Sequence, residues 1–223
     1  MIRPIAVLRP EPGNAATCAR IAAAGHLPIA LPLFEIVALP WTAPDACDFD
    51  ALLLTSANAV RMAGPALRSF TALPAYAVGR ATAEAARAAG LTVAVTGAGD
   101  AATLLAAARA EGVMRALHLG GRETMVAPAP PVARAITVYA SDSLPVAAEQ
   151  IAALDGAVAL LHSARAAARL AELAGAVRPG IALVAISPAA AMAAGEGWRS
   201  VSVAQRPDDA AMLAAAFALA AAD

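Results

Sequence analysis

The sequence predicts an α/β protein made of two similar parallel-sheet (Rossmann-like) domains. Short apolar runs that suit buried strands alternate along the chain with Ala-rich stretches that suit helices. An internal repeat is the second observation, since Leu-Leu-Thr-Ser-Ala-Asn-Ala-Val at 53–60 recurs as Leu-Leu-His-Ser-Ala-Arg-Ala-Ala at 160–167. Two further pairs of segments recur in the same order and at nearly the same offset: 77–83 with 185–191, and 100–105 with 209–214. The repeat indicates two homologous domains.

Turn and capping residues delimit the elements of the first half. Strands are expected in the apolar runs at 5–8, 27–31, 50–55, 75–78, 91–95 and 115–119. Helices are expected between them, at about 14–24, 57–67, 79–90 and 101–110. Asn14 and Ser56 are expected as N-caps, and Gly25 is expected to end the first helix.

The second repeat lacks an opening strand, helix and strand of its own. After the linker at 143–146, a helix at 147–153 leads directly into a strand at 157–161. The first 34 residues can supply the missing elements, so one domain is expected to be discontinuous and the other inserted into it. The expected division is a discontinuous domain at 1–34 plus 144–223, an inserted domain at 40–134, and strand-like segments at 35–39 and 135–143 that form a two-stranded connector.

Composition argues against several kinds of partner. The net charge is −1 without a basic stripe, so nucleic acid is not expected. The longest apolar run, at 210–222, is shorter than the roughly 20 residues that span a bilayer, so no membrane partner is expected either. Cys18 and Cys47 lack the spacing of a disulfide framework, and the three histidines lie too far apart in sequence to suggest a metal site. We therefore expect a cytoplasmic monomer without a metal.

The basic residues are all Arg, and the sequence contains no Lys. Lys-based Schiff-base chemistry is therefore excluded. Guanidinium groups bind carboxylates and phosphates in a bidentate way, which suits a polyanionic small molecule. A GC-rich coding bias gives the same composition, so both interpretations stay open.

Polar residues that follow predicted strands are the candidate ligand contacts. Parallel sheets bind ligands at the carboxyl ends of their strands, where helix N-termini present free N–H groups. The candidates are Arg9, Ser56, Arg80, Thr82, Gly121, Arg122, Ser163 and Ser187. Each serine after a strand is equally suited to be a helix N-cap, and Gly120-Gly121-Arg122 suits either an anion-binding backbone nest or an ordinary turn. Such groups in two domains indicate a cleft for several carboxylates.

Tyr139 is the candidate for acid catalysis. It lies in the returning connector and is one of only two tyrosines. A phenol can act as a weak general acid or hydrogen-bond donor, and the alternative is a packed strand aromatic. The sequence contains no dinucleotide fingerprint, P-loop or nucleophile elbow, so no stronger catalytic motif competes with it.

Taken together, these segments resemble the uroporphyrinogen-III synthase family. The matching segments follow the family's order along essentially the whole chain: 8–10, 25–26, 31–33, 54–60, 77–83, 119–123, 138–139, 163 and 186–188. The resemblance implies two α/β domains joined by a two-stranded connector, with the active site in the cleft between them. The second half departs from the family pattern, because His162 and Ala189-Ala190 stand where hydroxyl residues are usual and Ser187 stands where glycine is usual.

The resemblance also implies a reaction. Hydroxymethylbilane, a linear tetrapyrrole with eight carboxylates, is cyclised without a cofactor to uroporphyrinogen III and water, with inversion of ring D. Tyr139 matches the family's tyrosine and is expected to assist loss of the hydroxyl group, while Ser56, Thr82 and Ser163 match cleft hydroxyls. The alternative is a non-enzymatic two-domain protein that binds a tetrapyrrole or another polyanionic small molecule.

Overall fold

The computed structural model describes residues 2–123 and 129–221. The chain forms two compact units, Met1–Glu35 with Asp142–Asp223, and Ile36–Ser141. We call them the discontinuous unit and the inserted unit. Each contains a sheet with parallel strand pairs and helices packed against it, which confirms the predicted α/β class.

Strands and helices alternate along most of the chain. In chain order they are β1 (Ile5–Val7), α1 (Gly13–Ala23), β2 (Pro28–Ala30), β3 (Phe34–Ala38), β4 (Ala51–Leu54), α2 (Ala57–Met62), β5 (Ala75–Ala77), α3 (Arg80–Ala88), β6 (Val93–Thr96), α4 (Ala101–Ala110), β7 (Ala116–Gly121), β8 (Val132–Ser143), α5 (Ala148–Ala152), β9 (Val158–Leu161), α6 (Ala164–Leu173), β10 (Ala182–Ala185), α7 (Pro188–Ala194), β11 (Ser200–Val203) and α8 (Asp209–Ala221). Short 3-10 helices lie at Ala46–Asp48, Gly64–Phe70 and Gly175–Gly180. Among the described residues, no helix is long and apolar enough to cross a membrane.

The discontinuous unit has a five-stranded sheet of order β11-β10-β9-β1-β2. Side chains alternate between the two faces of a strand, so each face of β1 contributes to a different core. Ile5 and Val7 pack with Met212 of α8, whereas Ala6 and Leu8 belong to the core that includes α6. All of these residues are fully buried. The sheet is therefore covered on both faces, as is usual for parallel strands.

The inserted unit has a six-stranded sheet of order β3-β8-β7-β4-β5-β6. Leu52 and Leu54 of β4 pack in a core with residues of α2 and α3. Leu53 points to the opposite face, where Leu104 of α4 packs in a second core. This sheet is likewise covered on both faces.

The two sheets share one strand order. The sequence β11-β10-β9-β1-β2 in one sheet corresponds to β6-β5-β4-β7-β8 in the other. The repeated segments therefore occupy equivalent places, with β4 matching β9 and α4 matching α8. Strands β1 and β2 lie beside β9 just as β7 and β8 lie beside β4. The segments expected as connectors are strands β3 and β8, and both lie in the inserted unit's sheet.

Two local predictions are wrong for identifiable reasons. Asn14 does not cap α1, because it lies inside the first turn, fully buried, and its Nδ2 donates hydrogen bonds to the carbonyl oxygens of Val7 (2.7 Å) and Arg9 (3.0 Å). The helix expected at 57–67 ends at Met62, because Gly64 adopts a left-handed φ of 66° and Pro65 has no N–H to continue the ladder.

Candidate functional site

In the discontinuous unit, three candidate residues gather at one edge of the sheet. Arg9, Ser163 and Ser187 each lie two residues beyond the end of a strand, and these strands, β1, β9 and β10, are parallel neighbours. Both serines are N-caps: Ser163 Oγ accepts from the Ala166 N–H at 3.1 Å, and Ser187 Oγ accepts from the Ala190 N–H at 3.3 Å. Contact with a ligand stays a prediction for both serines.

Arg9 belongs to a cluster of charged side chains centred on Asp209. Asp209 lies in the first turn of α8, and its Oδ1 is 3.4 Å from Arg9 Nη1 and 2.7 Å from His162 Nε2. Arg20 forms an ion pair with Oδ2, and the Thr17 hydroxyl donates to the same oxygen at 3.2 Å. One carboxylate therefore joins residues that follow β1 and β9 to residues of α1 and α8.

The cluster keeps Asp209 ionised. Burial alone raises the pKa of this carboxyl group, but the hydrogen bond from His162 and the charges of His162, Arg20 and Arg9 outweigh burial and hold the pKa below its usual value. An ionised Asp209 accepts hydrogen bonds only, so His162 Nε2 carries the proton of this bond. The imidazole is thereby fixed in orientation and tautomer.

In the inserted unit, the candidate residues lie at the corresponding edge of the sheet. Ser56 follows β4 and caps α2, with its Oγ accepting from the Asn58 N–H at 3.1 Å. Arg80 opens α3 with a side chain that is 91% exposed and lies 3.9 Å from Glu84. Thr82, one turn into α3, is buried with 4% exposure. Arg80 is thus open to a ligand from solvent, whereas Thr82 is packed inside the unit.

A buried histidine lies next to this edge. His118 on β7 is 2% exposed, and its Nε2 is 2.8 Å from the Thr55 hydroxyl oxygen at the end of β4. Desolvation by burial lowers the pKa of His118 to about 4, so the imidazole is neutral at physiological pH. The hydrogen bond with this neutral ring fixes the Thr55 hydroxyl beside Ser56.

Gly120 and Gly121 give room to two aromatic rings. Both glycines belong to β7 and have no left-handed φ, so this pair forms neither the anion-binding nest nor the turn that the sequence left open. A Cβ on Gly120 would lie 2.6 Å from Cε1 of His118, and a Cβ on Gly121 would lie 2.5 Å from Cζ of Tyr139. The pair of glycines therefore lets His118 and Tyr139 pack closely on the end of β7.

A backbone hydrogen bond holds Arg122 beside Tyr139. The Arg122 N–H donates to the Tyr139 carbonyl oxygen at 2.9 Å. The Arg122 guanidinium pairs with Glu123 at 2.9 Å, and the other carboxylate oxygen of Glu123 accepts from the Ser141 N–H at 3.2 Å. Tyr139, Gly121 and Arg122 are thus brought together, with the Tyr139 ring 6% exposed in the unit's core.

Gly121→Ala is expected to destabilise the inserted unit by about 1–3 kcal/mol, because the new methyl group must displace the Tyr139 ring. Gly79→Ala is the matched control at the same edge, since its Cβ would meet only Gly99 backbone atoms at 3.8 Å or more. Urea denaturation monitored by circular dichroism measures both. Equal losses of unfolding free energy in the two variants would contradict close packing of Tyr139 on Gly121.

The sequence did not indicate Asp209 or His118 as members of these sites. Asp209 occupies the repeat position of Asp100, whose carboxylate accepts from the N–H groups of Ala102 and Thr103 as an N-cap. The repeat alone therefore does not distinguish a capping aspartate from one that binds side chains. In α8 the neighbouring Asp208 is the N-cap instead, since its Oδ1 accepts from the Ala211 N–H at 2.8 Å.

Comparison with known proteins shows which family this chain belongs to. The sequence profile of the family described as "Uroporphyrinogen-III synthase HemD" matches residues 15–214. The chain belongs to the uroporphyrinogen-III synthase family. The resemblance predicted from the sequence is thereby confirmed, and the enzymes of this family are cyclising lyases of heme biosynthesis that act on a tetrapyrrole.

Solved structures of uroporphyrinogen-III synthases share the fold. The enzyme from Helicobacter pylori is 19% identical with a TM-score of 0.68, and the match covers 97% of this chain and 99% of that one. A mutant enzyme from Thermus thermophilus is 20% identical with a TM-score of 0.56, and the match covers 98% of both chains. Among curated protein sequences, none is significantly similar to this chain. Membership of the family favours an enzyme over a non-enzymatic binding protein.

Proposed function

We propose that this protein cyclises hydroxymethylbilane to uroporphyrinogen III, with release of water and inversion of ring D. The observation that carries the proposal is the family match over residues 15–214. The chemistry of the two sheet edges supports it. Each edge offers guanidinium groups, hydroxyls and helix N-termini, which suit a substrate with eight carboxylates and no other strong recognition group.

The reaction depends more on how the enzyme positions its substrate than on strong acid or base catalysis. The hydroxyl group of the hydroxymethyl carbon takes up a proton and leaves as water, which produces an electrophilic azafulvene. Ring D attacks it through its substituted α-carbon to form a spiro intermediate. The bond from that carbon to the bridge toward ring C then breaks, the new azafulvene recloses at the free α-carbon of ring D, and loss of a proton from that carbon restores the pyrrole with ring D inverted. Without an enzyme the same substrate closes directly and gives the uninverted isomer. The protein must therefore hold the chain so that the spiro route is faster, and keep water from the cation.

Carboxylate contacts at both edges provide this positioning. Arg9 is one-third exposed beside the N-terminus of α6, which Ser163 caps. Arg80 and Arg122 provide exposed guanidinium groups at the inserted unit's edge, next to the helix that Ser56 caps. Ser187 completes the proposed set of contacts, while Thr82, which is packed inside the unit, and Gly121, which is buried under the Tyr139 ring, are proposed to shape this edge. Arginine forms paired hydrogen bonds with a carboxylate, so these contacts fix direction as well as distance.

Tyr139 is the proposed acid. Its ring lies at the end of β7, among the groups proposed to bind carboxylates, and close packing on Gly121 restricts its motion. A phenol is a weak acid, but the departing hydroxyl group is assisted by electron release from the pyrrole ring. A hydrogen bond from the Tyr139 hydroxyl to the departing oxygen is therefore sufficient assistance.

We further propose that the enzyme acts as a cytoplasmic monomer, with no nucleic-acid or membrane partner and no cofactor. The near-neutral net charge of −1 and the absence of a basic stripe in the sequence support the lack of a nucleic-acid partner.

An isomer assay distinguishes the enzyme from a binding protein. Hydroxymethylbilane is supplied with and without the protein, the products are oxidised to porphyrins, and isomers I and III are separated by chromatography. An enzyme forms isomer III within the time in which the uncatalysed reaction gives isomer I. A binding protein instead retards closure or leaves isomer I as the product, and this result would refute the proposal.

A further inference from the structure

The Asp209 cluster is built differently from the equivalent place in the inserted unit. There, Asp100 caps α4 and Thr55 stands at the position of His162. In the discontinuous unit Asp208 caps α8, and Asp209 is left to bind side chains. Helix capping therefore does not account for Asp209, which is only 15% exposed and contacts three potential cations and a hydroxyl.

Asp209 restricts the one arginine of this cluster that lies at the sheet edge. The Arg9 guanidinium is held on one side by Asp209 at 3.4 Å. On another side it packs against Gly13, where a Cβ would lie 2.5 Å from Arg9 Nε. The remaining third of the side chain is exposed. Arg9 is thus held in one orientation with part of its surface available to a ligand.

The charges of the cluster leave it able to accept an anion. Two guanidinium groups face one carboxylate, so the cluster retains a positive charge even when His162 is neutral. The charge of Arg9 is therefore not fully neutralised within the cluster. Within the described part of the chain, the buried Nδ1 of His162 has no hydrogen-bond partner.

We propose that Asp209 is a positioning residue, which holds Arg9 and His162 so that Arg9 receives one carboxylate of the substrate. The inference rests on the proposed function, since it assigns Asp209 a task in binding the tetrapyrrole. Arg9 touches the substrate, and Asp209 acts through Arg9. His162 supports the arrangement from the other side, because its Nε2–H holds the same carboxylate oxygen that faces Arg9.

A double-mutant cycle in the full-length enzyme tests this assignment. Asp209→Asn keeps the shape of the side chain and removes its charge, while Arg9→Gln removes the proposed contact itself. Each single variant is expected to raise KM for hydroxymethylbilane about 10-fold with kcat nearly unchanged. The double variant is expected to have the KM of Arg9→Gln alone, because Asp209 has no route to the substrate once Arg9 is absent.

Arg206→Gln is the control, since it removes an ion pair with Asp208, the sequence neighbour of Asp209, at a side chain that is 75% exposed. It is expected to leave KM unchanged, whereas Asp209→Glu, which keeps the charge, is expected to raise KM less than Asp209→Asn. The assignment is overturned if Asp209→Asn lowers the melting temperature without raising KM, if the two effects multiply in the double variant, or if Arg206→Gln raises KM equally. Isomer III formation by the wild-type protein is measured in the same assay. If it occurs while these effects are absent, the positioning role fails and the proposed function stands, whereas its absence refutes both.

Discussion

Tyr139→Phe is expected to lower the turnover of hydroxymethylbilane by about 10- to 1,000-fold. The phenol is proposed to assist departure of the hydroxyl group, and phenylalanine keeps the ring that packs on Gly121 while removing the proton donor. Binding should change little, because one hydrogen bond contributes roughly 0.5–1.5 kcal/mol beside many carboxylate contacts. Residual product should shift toward isomer I as uncatalysed closure competes.

The other tyrosine provides the control. Tyr76 on β5 is 3% exposed and donates a hydrogen bond to Glu111 at 3.0 Å, so Tyr76→Phe also removes a buried phenol from the inserted unit. Steady-state kinetics and melting temperatures of both variants separate chemistry from packing. Unaltered turnover of Tyr139→Phe together with a lower melting temperature would make Tyr139 a packing residue and leave positioning as the whole mechanism.

His118 is expected to make the protein lose about 3 kcal/mol of unfolding free energy between pH 6.5 and pH 4. The folded-state pKa is about 4, whereas the ordinary value is 6.5, so the unfolded chain binds a proton in this range and the folded protein does not. Stability from the neutral ring is fully present above pH 6.5 and is lost as pH falls through the folded-state pKa.

Unfolding free energies from urea titrations at a series of pH values test this expectation. His118→Gln should be less stable than wild type at pH 7 but should lack this part of the acid-induced decline, because glutamine does not titrate. His26→Gln retains His118 and should keep the decline. The same slope in wild type and His118→Gln would show that His118 is not the group that takes up the proton.

Local signals predicted most of the fold. The strands β4, β7 and β9 lie within a residue or two of their expected positions, because each is a short apolar run closed by a polar residue. Helix α4 matches its expected bounds, Ala101–Ala110, since Asp100 caps it and a glycine follows it. The early end of α2 was also readable from the sequence, because Gly64 and Pro65 are both unfavourable inside a helix.

The details of the two edges depend on contacts that no local pattern encodes. Asp209 meets Arg9 across 200 positions of sequence, and this contact forms because α8 packs against the face of the sheet that contains β1. The Gly120-Gly121 pair is compatible with a turn or a strand. It forms a strand because Gly121 pairs with Tyr139 of the adjacent strand β8. Charge pairing and close packing between distant segments could therefore not be predicted from the sequence.

The ratio of isomer III to isomer I at increasing protein concentration tests whether the protein catalyses inversion of ring D. At a fixed concentration of hydroxymethylbilane, uncatalysed closure competes with the enzyme at a constant rate. Isomer III is expected to rise from none without protein to nearly all of the product when the enzyme outpaces that closure, with Tyr139→Phe requiring about 10- to 1,000-fold more protein. A product that remains isomer I at every protein concentration would show that the protein does not catalyse the inversion.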